Sequence, residues 1–109
     1  MRRGESLVAR QFADLTSAEK RAFCAEVSAE IRQVVSAMTD SIPNSNRELT
    51  LEYLDQNELG LALEHLCDTL IEKGVNVPSS EHTRISALFE RMELESSGRL
   101  ESLAPQEKD

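Results

Sequence analysis

Carboxylates at helical spacing are the residues of this chain best suited to chemistry, and that chemistry is electrostatic capture. Glu48, Glu52 and Asp55 fall at i, i+4 and i+7, and Glu64, Asp68 and Glu72 recur every four residues. Each set therefore lines one side of a helix. Like charges at i, i+4 weaken an isolated helix by roughly a few tenths of a kcal/mol each, which fits a face kept for a partner. The other reactive side chains form no constellation. His65 and His82 belong to no HExxH run, no pair of His ligands at helical spacing and no Cys/His cluster, so neither a metal site nor a catalytic role is predicted. Cys24 and Cys67 lack CxxC spacing and sit beside apolar residues; they read as small buried hydrophobes of a reducing cytoplasm. None of the four Gly forms a phosphate-binding loop, and no segment resembles a nucleophile elbow. The expectation is a binding protein with no catalytic residue, metal or cofactor, and not an enzyme.

The charge supports the same direction. Residues 1–39 carry six Lys/Arg against five Asp/Glu, residues 40–73 two against eight, and residues 74–109 four against seven. The middle third thus holds −6 of the total −8. Its field repels nucleic acid and attracts basic partners. The plainer reading of the same charges is a solvated surface that keeps the protein soluble. At 109 residues the chain makes one domain. With 4% aromatic residues and no Trp, its core must come from Leu, Val, Ile, Ala, Met and Phe. Mean hydropathy is −0.40, and no apolar run approaches the ~18–20 residues that span a bilayer. Arg2 and Arg3 are not followed by an apolar stretch, so a secretory signal is not expected and a cytoplasmic location is.

The elements that carry these residues read as an all-α protein: a small antiparallel bundle of about four helices with flexible termini. Residues 1–14 have no clear period and read as a loosely held arm. Thr16 and Glu19 have the spacing of a capping box, and Phe23, Val27, Ile31, Val34, Val35 and Met38 form a stripe, which predicts a helix from about 17 to 39. Pro43 forces a link. A second helix is predicted to start after Ser45 or Asn46, with a capping box at Ser45 and Glu48, and to run to about 56. Leu51 and Leu54 face inward. A third runs over 58–73, its apolar side made by Leu59, Ala62, Leu63, Leu66 and Leu70. Gly60 in its first turn suggests close approach of another backbone, and Gly74 ends it. A fourth is predicted over about 79–95, on the stripe Ile85, Leu88, Phe89 and Met92. There is no strand signal. The ordered core is expected over about 15–96, with 97–109 as a flexible tail.

If helices two and three form a hairpin, their acidic ridges share a surface. Tyr53 then fits two roles equally: an interface anchor ringed by carboxylates, or a half-buried ring. The stretch from Glu52 to Asp68, with its Asn57-Glu58-Leu59-Gly60-Leu61-Ala62-Leu63-Glu64 run, resembles the central segment of MafI-type immunity proteins, as does the link Gly74-Val75-Asn76-Val77-Pro78 before a last helix. The likeness covers roughly residues 45–94. It implies a small helical cytoplasmic protein that binds and neutralises a cognate contact-dependent or polymorphic toxin domain, most often a nuclease. The acidic surface suits that role, since a nuclease presents a basic groove to phosphates. The expected contact residues are Glu48, Glu52, Tyr53, Asp55, Glu58, Glu64 and Asp68. The alternative is a small acidic adaptor or regulatory subunit that binds a basic protein of another kind.

Overall fold

Thr16 starts the first helix. Its hydroxyl accepts from the Glu19 amide at 3.1 Å while its own amide donates to the Glu19 carboxylate at 2.9 Å, a complete capping box. The computed structural model describes residues 15–105. In it α1 spans Ser17–Ala37, α2 Asn44–Asp55, α3 Leu59–Glu72, α4 Ser79–Arg91 and the short α5 Arg99–Ser102, with a 3-10 turn at Thr39–Ser41. The protein is a small all-α bundle. The expected arm over 1–14, and residues 106–109 of the expected tail, lie outside the described residues.

The start of the second helix differs from expectation in detail. The capping box at Ser45 and Glu48 is absent; α2 starts at Asn44 behind Pro43, which makes no side-chain cap. Proline's fixed φ suits helix entry, and Pro78 repeats the arrangement ahead of α4. Three helices end in the same motif. After α2, Glu58 N–H donates to the Tyr53 carbonyl; after α3, Val75 donates to Leu70; after α4, Leu94 donates to Phe89. The turning residues Asn57, Gly74 and Glu93 all have positive φ, as the Schellman end requires. Glu93, an uncommon residue for this position, takes the left-handed turn, so α4 stops at Arg91, short of the expected 95.

Helix α3 is the central element. Its buried face holds Leu59, Ala62, Leu63, Leu66, Cys67 and Leu70, and it packs against α1, α2 and α5. Val27, Ile31, Val34 and Val35 of α1 and Ile85, Leu88 and Phe89 of α4 close the core. Gly60 does not mark a close backbone approach. The nearest atoms to a Cβ placed there are the Leu94 methyls, at 3.8 and 3.9 Å, an ordinary van der Waals distance. Gly60→Ala is therefore expected to stabilise the protein by up to about 1 kcal/mol through helix propensity alone. An unchanged or lower urea midpoint would contradict this.

The segment after Ser97 departs most from expectation. Rather than a loose tail from 97 onward, α5 packs on α3 and α4, and Leu103 is fully buried. Beyond it Ala104–Pro105 (β2) pairs in parallel with Asn76–Val77 (β1), in the register Asn76 to Ala104. Two residues are too few to show a strand period. His82 Nε2–H donates to the Leu100 carbonyl at 3.0 Å; because a carbonyl only accepts, this contact sets the tautomer.

Candidate partner-binding surface on the second and third helices

Helices α2 and α3 form the expected antiparallel hairpin, and polar side chains set its register. Asn46 Nδ2 donates to Thr69 Oγ1 at 3.2 Å, and the Thr50 hydroxyl donates to the Asn46 carbonyl at 3.1 Å. Thr50 and Thr69 are buried, so these bonds satisfy groups that water cannot reach. Two turns further along α2, the Tyr53 ring meets the His65 ring edge-on, with centroids 6.0 Å apart. His65 Nε2 is buried and has no hydrogen-bond partner.

This register distributes the expected contact residues unevenly. Glu48 and Glu52 are exposed on the side of α2 opposite Thr50 and Leu54. Neither forms an ion pair with another described residue; Glu52 accepts only a long bond from Gln56 at 3.5 Å. Asp55 turns toward α1 and pairs with Arg32 at 2.8 Å, an exposed contact of small net value. Glu58 is exposed in the α2–α3 turn, at the lip of a separate groove lined by Phe23, Cys24, Leu59 and Met92. Glu64 and Asp68 do not form a bare acidic ridge. Arg99 of α5 donates Nε–H to one Asp68 oxygen at 2.8 Å and Nη2–H to the other at 3.2 Å, and lies 4.0 Å from Glu64. Its hydrogen bond to Asp68 pushes the guanidinium pKa further up. Arg99 lies in the stretch that reads as a tail, and no sequence spacing ties it to Asp68.

Tyr53 combines the two roles open to it from sequence: it is half-buried, and its ring packs on His65 at the hairpin seam. Two further residues went unnoticed. Among the described residues, Leu49 and Leu61 are the large hydrophobics that remain exposed, at 37% and 47%. The sequence did carry a signal for them: each is a leucine off its helix's buried stripe, Leu49 beside Leu51 and Leu54, Leu61 between Leu59 and Leu63.

No family model, curated protein or solved structure matches the chain. Among the described residues no three or more His, Cys, Asp or Glu side chains gather as a metal site, and no helix is long and apolar enough to cross a membrane.

The two thiols differ. Cys24 is half-buried, whereas Cys67 is buried in α3. Burial pushes the Cys67 thiol from 9.0 up to about 12; Arg99 opposes this, and Asp68 and Glu64 add to it. The unfolded chain thus loses this proton near pH 9 while the folded chain keeps it. Stability is expected to fall by about 1.4 kcal/mol for each pH unit as pH rises from about 9 toward 12. Urea unfolding of the protein and of Cys67→Ala between pH 8 and 11 isolates the effect. Parallel pH dependence in the two proteins would contradict it.

Proposed function

We propose that this protein is an immunity protein that binds a cognate toxin domain, a basic nuclease, and blocks it with the acidic outer surface of α2 and α3. The observation that carries this reading is that Glu48 and Glu52 stand exposed on one helix face without an ion pair among the described residues. They stand within the third of the chain that holds the charge of −6. Some other acidic residues of the bundle do meet arginines: Glu26 meets Arg91, Glu30 meets Arg84 and, on α2 itself, Asp55 meets Arg32. An anionic face without an internal partner is complementary to a phosphate-binding groove, and opposite charge accelerates encounter. The resemblance of residues 45–94 to MafI-type immunity proteins points to the same class of partner.

The test is co-expression of the tagged protein with the toxin-like domain encoded beside it, scored for a 1:1 complex and for rescue of growth. Glu48→Lys with Glu52→Lys is the informative variant, since reversing Asp55 would also break its pairing with Arg32. The expected result is a complex whose association slows at least about tenfold in the variant and whose salt dependence flattens. Absence of both complex and rescue would overturn the reading. A complex without rescue would favour the adaptor role.

A further inference from the structure

We propose that the outer lip of the α2–α3 seam is the anchor of the partner contact: an apolar strip of Leu49, Tyr53, His65 and Leu61 that receives an aliphatic or aromatic side chain from a protein surface ringed by Lys and Arg. The inference rests on the binding reading above and names the part of the surface that supplies affinity.

The strip follows from helix geometry. The Asn46–Thr69 and Tyr53–His65 contacts set α2 and α3 antiparallel. Leu49 lies one turn before Tyr53 on α2, and Leu61 one turn before His65 on α3, so the two leucines flank the ring pair at opposite ends. Residues at i and i+4 share a helix side, and the strip is roughly 12 Å long at 1.5 Å per residue. Its ends are exposed by 37% and 47%, while the rings between them are half-buried. Tyr53 is held in place by His65, so little side-chain entropy is lost when a partner covers it.

Charge selects the occupant. Along α2 the strip is bordered by Glu52, three residues from Leu49. Along α3 it is bordered by Glu64 and Asp68, each three residues from a strip member, and by Glu72 one turn beyond Asp68. Only Glu64 and Asp68 are offset, by Arg99. A second copy would bring the same carboxylates face to face, and nucleic acid or an anionic lipid surface would be repelled. A basic protein surface with a central apolar side chain satisfies both parts: apolar burial at the centre, and opposite charge at the rim.

The test uses the full chain, isotopically labelled, titrated with two synthetic helical peptides of equal positive charge, one of Lys and Leu and one of Lys and Ala. The expected result is that the Lys/Leu peptide shifts the amides of Leu49, Tyr53, Leu61 and His65 and binds at least about tenfold more tightly than the Lys/Ala peptide. Leu49→Gln with Leu61→Gln, neutral exchanges at exposed positions, should abolish that difference and leave the helical spectrum unchanged. Equal affinity for the two peptides would overturn the proposal, as would shifts gathered at the Phe23, Cys24 and Met92 groove. So would a dimer in sedimentation that Leu61→Gln dissolves. The toxin domain separates this proposal from the reading beneath it. A complex that both substitutions leave undiminished overturns the anchor and keeps the immunity role. If the wild-type protein forms no complex with the toxin, the immunity role falls and the peptide titration decides the anchor.

Discussion

Leu66→Ala is expected to lower the free energy of unfolding by about 2–5 kcal/mol. Leu66 sits in the middle of the buried arc of α3, flanked on the same face by Leu59, Ala62, Leu63 and Leu70. Helices α1, α2 and α5 all pack on α3, and α1 also packs on α2 and α4 while α5 packs on α4, so none can move into the vacated space without losing those contacts. The lost transfer free energy is therefore joined by an unrelaxed cavity. A domain of this size commonly holds only about 5–15 kcal/mol in total, so the variant forfeits a large share of it. Urea unfolding followed by circular dichroism measures this directly, as a lower midpoint at unchanged slope. A loss below about 1 kcal/mol would mean that the bundle repacks around α3, contrary to the central place given to that helix.

Leu103→Asp is expected to release the segment from Gly98 to Pro105 at a cost of about 3 kcal/mol, most of it the lost burial of Leu103 itself. An aspartate carboxylate cannot remain ionised in that apolar site without a partner. The chain avoids burying it by undocking, which bounds the loss. Undocking also gives up the His82 hydrogen bond to the Leu100 carbonyl, the bidentate pair of Arg99 with Asp68, and the pairing of β1 with β2. Hydrogen exchange is the decisive readout. The amides of Ser102 and Leu103, which donate to the Gly98 and Arg99 carbonyls, should lose protection while those of α1 keep theirs. Uniform loss across the chain would mean that the segment unfolds only with the whole domain. Release of Arg99 would also uncover the full charge of Glu64 and Asp68, so basic peptides should bind this variant more tightly at low salt.

What the residue pattern determined by itself is local. The capping box at Thr16 and Glu19 needs only four consecutive residues to form, and it forms. The stripes of α1, α3 and α4 are long enough for a 3.6-residue period to name their buried faces, and those faces are buried. The short break at Asn57 and the Gly74 end made the hairpin and the link predictable, because short connections leave neighbouring helices antiparallel. Even the exposed Leu49 and Leu61 were present as leucines off their stripes, though periodicity registers what lies on a stripe and passes over what lies beside it. The helix end at Glu93 was hidden because a glutamate at positive φ carries no compositional mark.

Tertiary structure decided which acids are free. Glu48, Glu52, Asp55, Glu64 and Asp68 are alike in sequence terms, yet Asp55 faces Arg32 and Asp68 is held by Arg99, while Glu48 and Glu52 form no ion pair among the described residues. The partners lie 23 and 31 residues away along the chain, beyond any spacing rule, since helix periodicity relates residues only within a few turns. The same distance explains the C-terminal segment. Leu100 and Leu103 are two apolar residues in a polar stretch, too few for a pattern. They are ordered because α3 and α4, folded from other parts of the chain, present an apolar site that two side chains are enough to fill.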